Sequence, residues 1–307
     1  MSEFHKKVED SFSMYYHAAN KISIQSQKRY MSAFKGSLIP LIIASMISCI
    51  TGVLNNNAIV TSLNMIIILC IIISVVCTAI VHNSKLQKLW YDGRAVAESL
   101  KTMSWKYITC TTPYDSNKNL KEASDTYSRS LEIIFENHKE IMNRVNLSSP
   151  DMITCEMENL RGLDLSQKRM LYIEQRIKQQ LQWYDNNSKN NLKFKSFWFI
   201  AAVGLQILAL ISVFYVYSNS SLSSDLVGLF SAASTSIISW IQVKRYQELH
   251  EAYSTTALEL SYIYNKGKQI NNEDLQEFVD DAEKAISREH TLWIARRDHT
   301  KLDKLIK

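Results

Sequence analysis

Apolar residues run almost unbroken in two places along this chain, each time on both sides of a short polar turn. The first block extends from about Ser37 to His82 and turns at Leu54-Asn55-Asn56-Asn57. The second extends from about Phe197 to Gln242 and turns at Ser218-Asn219-Ser220-Ser221. No Asp, Glu, Lys or Arg lies between Gly36 and Ser84, and Asp225 is the only one between Ser196 and Val243. A helix of about 20 apolar residues crosses the ~30 Å hydrocarbon core of a bilayer. The pattern therefore predicts four membrane spans, over about 37–54, 60–82, 197–217 and 224–243. Pro40 stands near the start of the first span, where the first turn of a helix tolerates it.

Outside the spans the period changes to that of amphipathic helices. Leu86, Leu89, Trp90, Ala97, Leu100 and Ile108 form one stripe, and this helix should stop near Thr111-Thr112-Pro113-Tyr114. A second helix is expected from about Asn119 to Asn146, with Leu131, Ile134, Phe135, Ile141 and Met142 apolar. Leu147-Ser148-Ser149-Pro150 reads as a linker. A third helix, from about Leu165 towards Lys195, should enter the third span unbroken. The N-terminal helix carries Phe4, Val8, Tyr15, Ala18, Ile22 and Tyr30, and should pair with the helix after the second span. Helices around Lys244 to Gln269 and from about Asn272 complete the chain, the last capped by Asn271 or Asn272. The predicted fold is an all-α membrane protein of two duplicated transmembrane hairpins with long cytoplasmic helical extensions.

The duplication shows when the chain is shifted by 160 residues. Phe34-Lys35 then falls on Phe194-Lys195, Lys85 on Arg245, Ala97 on Ala257 and Leu100 on Leu260. One constant offset covers loops as well as helices, so the repeat reads as two units, 1–147 and 148–307.

Charge orients the hairpins. Lys28, Arg29, Lys35, Lys85, Lys88, Arg94, Lys189, Lys193, Lys195, Lys244 and Arg245 flank the spans, and neither turn carries a Lys or Arg. The positive-inside rule places both turns outside and both termini in the cytoplasm. The net charge of +5 is modest and its basic residues are mixed with acids, which argues against nucleic-acid binding. Seven Gly and three Pro in 307 residues leave few helix breakers. Of five cysteines, Cys49, Cys70 and Cys77 lie in spans, and Cys110 and Cys155 stand alone; no metal-ligand spacing or disulfide framework appears. No cofactor motif is present. Glu289-His290 and Asp298-His299 lie on a charged helix without a nucleophile, and no Walker, GxGxxG or GxSxG motif occurs, so a non-enzyme is expected.

The remaining candidate chemistry is in the spans. Ser224, Gly228, Ser231, Thr235, Ser239 and Gln242 recur on one face of the fourth span. Such a face either lines a watered pathway or packs tightly against another helix. Gln206 and Asn64 are further polar groups at membrane depth that need a partner or water. The absence of buried charge argues against a proton-coupled pump. A long-stalked membrane helix bundle of this kind is expected to meet lipid and further copies of itself.

Arg94-Ala95-Val96-Ala97-Glu98-Ser99-Leu100-Lys101, then Trp105-Lys106-Tyr107, then Pro113-Tyr114, resembles the segment after the hairpin in SLATT-domain proteins, the SMODS- and SLOG-associating two-transmembrane effectors. Ile286-Ser287-Arg288-Glu289-His290 with Trp293 is similar to the closing helix of a second such unit. The second unit departs from the pattern: Ser254 stands where the first has Arg94, and Leu258 where it has Glu98. The resemblance implies a bacterial inner-membrane effector of anti-phage systems that perforates or depolarises the membrane, without enzymatic activity. It also implies a trigger from a nucleotide second messenger or a separate sensor protein. A non-conducting scaffold, whose cytoplasmic helices dock a soluble partner, is the alternative.

Overall fold

A computed structural model describes residues 8–54, 56–115, 117, 119–145, 151–218 and 225–297, with side chains as far as Ser287. Residues 219–221 of the second hairpin turn, the linker at 147–150, Phe4, and the side chains of Arg288, Glu289 and Trp293 lie outside this set, as do Ser224 and Asp298-His299. Among the described residues all regular structure is helical. Eleven α-helices follow in order: α1 Met14–Thr51, α2 Asn57–Asn83, α3 Leu86–Ile108, α4 Leu120–Asn137, α5 Lys139–Met142, α6 Cys155–Arg161, α7 Leu165–Tyr172, α8 Gln179–Ser218, α9 Asp225–Lys244, α10 Tyr246–Gly267 and α11 Leu275–Arg297. Among the described residues four helical stretches are long and apolar enough to cross a membrane. They contain the expected spans 60–82 and 197–217 and most of 37–54 and 224–243, the first ending at Thr51 and the fourth beginning at Asp225.

The helices sort into two compact units. One comprises Lys28–Leu86 and Asn187–Glu251 and holds both hairpins. The other comprises Met1–Gln27, Gln87–Asn186 and Ala252–Lys307, lies outside the four expected spans and is called the soluble unit. Each unit thus draws on both halves of the duplication.

In the membrane unit the two hairpins are closed by the same bond. Ser74 Oγ donates to the Ser37 carbonyl at 2.7 Å, and Ser234 Oγ donates to the Ala202 carbonyl at 3.1 Å. A matching pair of bonds lies nearer the span ends. Ser23 Oγ donates to the Trp90 carbonyl in the soluble unit, and Ser188 Oγ to the His250 carbonyl in the membrane unit. These bonds revise the register of the repeat. Ser74 and Trp90 map onto Ser234 and His250 at an offset of 160, but Ser23 and Ser37 map onto Ser188 and Ala202 at 165. The bonded pairs are 37 and 67 residues apart in the first hairpin and 32 and 62 in the second. The second hairpin is therefore five residues shorter between equivalent points, and the gap-free overlay of the sequences misaligns its first helix. The second helices do keep the 160-residue register: the break after α2 falls at Lys85 and the break after α9 at Arg245, which adopts φ 52°.

The soluble unit has an aromatic core. Trp105, Tyr107, Tyr114, Tyr127 and Tyr172 are essentially inaccessible. Trp105 meets Phe12 and Tyr172 edge-on, with ring centroids 6.0 and 5.6 Å away. The expected apolar stripe of α3 faces this core, and α1 packs on α3 as anticipated: Gly93 brings α3 against the backbone of Ala19 and Ser23. Three expectations need adjustment. The second helix breaks at His138 and ends at Met142, although Asn119 caps its start by accepting from the Glu122 N–H. The third helix reaches Ser218 without interruption, but residues Ile173–Lys178 wind as a π-helix. Asn271 occupies the capping position ahead of a short 3₁₀ turn, Asn272–Asp274, but its side chain makes no capping hydrogen bond.

Candidate functional site

Lipid offers no hydrogen bonds, so polar side chains at membrane depth must be paired within the protein or face water. The fourth span separates its hydroxyls accordingly. Ser234 and Ser236 are buried, and Ser234 is spent on the bond to α8. The predicted stripe turns away from this contact. Gly228, Ser231, Thr235 and Gln242 are exposed and Ser239 is half-buried. A methyl group added at Gly228 would meet nothing within 4 Å. Close packing within one chain therefore involves Ser234, while the stripe stays open.

Gln206 on α8 and Asn64 on α2 are likewise exposed, and neither side chain has a hydrogen-bond partner among the described residues. No side-chain hydrogen bond joins these two positions to each other or to the α9 stripe among the described residues. Only 11% of each apolar window is buried, so the spans leave most of their surface to lipid or to other chains. Lys35 and Lys244 both lie 5.3 Å from the Trp240 ring, and Phe34 stacks on that ring at 6.3 Å, which joins the first and fourth spans at their basic ends.

The positions after the first hairpin that carry the family pattern have structural surroundings. Trp105, Tyr107 and Tyr114 belong to the core, and Tyr107, Tyr114 and Tyr127 form a three-ring cluster with centroids 5.4 to 5.9 Å apart. Burial pushes the Tyr127 hydroxyl up to about 12. The Thr112–Pro113 peptide is cis. Arg161 holds this turn, donating to the carbonyls of Tyr107 at 2.5 Å and Tyr114 at 2.9 Å while lying over the Tyr107 ring. Arg94 and Glu98, one helical turn apart, form an ion pair at 2.8 Å that is half-buried.

Sequence reasoning missed the charges inside the soluble unit. Arg176, in the π-helical stretch, donates twice to Glu283 of α11, both times at 2.8 Å. Tyr172 and Thr102 donate to the same carboxylate at 3.0 and 2.7 Å. Glu283 stands among Phe278, Val279, Ala282 and Ile286, all buried; a carboxylate within that stripe was the signal available. Lys101 pairs with Glu9 nearby. Burial, then repulsion from Arg176, pulls the Lys101 ammonium below its usual range. Burial works against the Glu9 carboxylate too, but attraction to Lys101 outweighs it and holds the carboxyl below the usual 4.5.

This lowering fixes a pH dependence. A carboxyl with a lower value in the folded state contributes stability that is complete above its unfolded value and lost as pH falls through the folded one. The Glu9 carboxylate should thus contribute stability that is complete at neutral pH and falls away progressively below about pH 4.5. Melting curves of the wild type and Glu9→Gln should differ at neutral pH and converge in acid. A gap that stayed constant with pH would contradict this.

Among the described residues no group of three or more His, Cys, Asp or Glu is placed to hold a metal ion. Comparison with known proteins adds family information. Residues 14–169 match the model for SMODS and SLOG-associating 2TM effector domain 3, and residues 172–293 match that for SMODS and SLOG-associating 2TM effector domain 1. Neither a curated protein nor a solved structure matches the chain.

Proposed function

Because the chain belongs to the SMODS- and SLOG-associating two-transmembrane effector family, as two such domains in tandem, we propose that it is a membrane effector of bacterial defence that acts as an oligomeric pore or channel. Its membrane is the bacterial inner membrane, with both termini and the soluble unit in the cytoplasm. The observation that carries this reading is the open polar surface of the spans. Gln206 and Asn64 lack partners, and the small hydroxyl face of α9 is exposed in a single chain. In hydrocarbon such groups are stabilised by another helix or by water. Assembly of several copies supplies the first, and a central pathway supplies the second. The soluble unit then gates the assembly in response to a nucleotide second messenger or a separate sensor protein.

Ion flux into liposomes containing the purified protein tests the proposal, with and without cyclic nucleotides. The wild type should conduct under at least one condition. Replacing Ser231 and Thr235 together by Leu should abolish flux while leaving helix content intact, because both side chains leave the watered face. A wild type that assembles yet never conducts would make the chain a non-conducting scaffold, and equal flux from the double variant would remove α9 from the pathway.

A further inference from the structure

Helix α3 ends in a closed left-handed turn. The Cys110 N–H donates to the Tyr107 carbonyl at 3.3 Å and the Thr111 N–H to the Lys106 carbonyl at 2.9 Å, with Cys110 at φ 56°. Glycine or asparagine ordinarily fills that position, because other side chains crowd the backbone there. Here a cysteine fills it, 5% exposed, with its carbonyl held by Gln276 at 2.9 Å.

A second observation concerns what faces the sulfur. Lys168 of α7 is only 6% exposed and points its Nζ at Cys110 Sγ, 3.2 Å away. The sulfur is its only side-chain hydrogen-bond partner, and no carboxylate pairs with it among the described residues. Burying a lysine is costly, and buried lysines are normally paired with an acid. This one is instead held against a thiol, in reach for bond formation once the sulfur is activated.

We propose that Cys110 and Lys168 form a peroxide-responsive pair that closes into a covalent sulfur–nitrogen bond. Sulfur first attacks hydrogen peroxide; the O–O bond breaks, Cys110 becomes a sulfenic acid and one water leaves. The Lys168 amine then attacks that sulfur, the S–O bond breaks, and the departing hydroxide takes a proton from the nitrogen as a second water. Counted from neutral thiol and neutral amine, sulfur loses two electrons and peroxide is reduced to two waters. The resulting sulfenamide joins residues 58 apart. It fastens the end of α3 to α7, the start of the continuous helix Leu165–Ser218 that carries the third span. Oxidation would thereby restrain the helix that a gating movement of the soluble unit must shift.

The test is peptide mapping of the full-length protein in detergent after hydrogen peroxide treatment and alkylation of free thiols. The expected product is a linked pair of peptides containing Cys110 and Lys168, lighter than their sum by two hydrogens. It should resist trypsin at Lys168 and revert with dithiothreitol. Lys168→Arg keeps the cation but removes the amine, so Cys110 should then be trapped as a sulfenic acid by dimedone, with no link formed. Two results would overturn the proposal: Cys110 still a free thiol at peroxide doses that oxidise the exposed Cys155, or Cys110 oxidised in the wild type while Lys168 stays a free amine.

Discussion

Glu283→Ala should destabilise the soluble unit by about 3–5 kcal/mol, the usual cost of breaking a buried ion pair from one side. The side chains of Arg176 and Glu283 are 1% and 0% exposed, so neither can regain water when its partner is removed. Without the carboxylate, the guanidinium loses two charge-assisted bonds, and Tyr172 and Thr102 each lose an acceptor. Arg176 Nη1 already lacks a partner, so the cluster has no spare acceptor to offer. Lys101, which already feels repulsion from Arg176, then faces a cation whose counter-charge has gone. Glu283→Gln should cost less, since its amide oxygen still accepts. The combined change Arg176→Met with Glu283→Leu should recover part of the loss, because it removes the unpaired buried cation, while Tyr172 and Thr102 still go without their acceptor. Denaturant unfolding followed by tryptophan fluorescence reads all of these, with Trp105 beside Tyr172 as a local reporter. A single Ala variant within about 1 kcal/mol of the wild type, the size of a surface pair, would show that the pair is not buried in the folded protein.

The second large effect is expected at Gly93. A Cβ built there lies 3.1 Å from the Ser23 nitrogen and 3.3 Å from both the Ala19 oxygen and the Ser23 Cα. All three are backbone atoms of α1, and none can rotate away. Gly93→Ala should therefore cost about 1–3 kcal/mol, the range for overpacking, and Gly93→Leu more. Either change separates the two helices and strains the Ser23 to Trp90 hydrogen bond of 3.0 Å. Gly36 is the control. Its Cβ would meet Cys77 Sγ at 2.7 Å, a side-chain end that can turn aside, so Gly36→Ala should cost under about 1 kcal/mol. Thermal melting of the two alanine variants compares them directly, and equal losses would contradict the argument. At the level of Gly93 the second repeat has Tyr253, whose ring faces Tyr184 at 5.4 Å. There, rings hold apart what glycine brings together.

The spans were readable because a long charge-free apolar run has few other physical outcomes. The pairing of α1 with α3 was readable from two amphipathic stripes on either side of a hairpin. The register within the repeat was not. Identity between the units is thin, and a five-residue difference hidden in the hairpin leaves either alignment plausible until Ser74 and Ser234 show their acceptors. The buried charges were equally hard to see. Arg176 and Glu283 are 107 residues apart, and although Glu283 stands out within an apolar stripe, only the folded chain shows that Arg176 is its neighbour. The stripe of the fourth span was visible by its spacing, but its direction depends on which neighbouring hydroxyl, Ser234 or Ser231, meets α8.

The shorter second hairpin bears on the lipid around it. The shortening falls on one arm: Asn57 to Ser74 spans 17 residues and Asp225 to Ser234 only 9, whereas Ser37 to Thr51 spans 14 and Ala202 to Ser218 spans 16. The described part of α9 therefore reaches about 12 Å less far beyond its bond than α2, at 1.5 Å per residue. A bilayer thick enough for α2 therefore overreaches the described length of α9, and each ångström of such mismatch costs a fraction of a kcal/mol in bent lipid. Lipid must thin locally beside the second hairpin, or that hairpin must gather against other copies and away from lipid. Acyl-chain length thus becomes a control on the state of this protein, with short chains relieving what long chains impose.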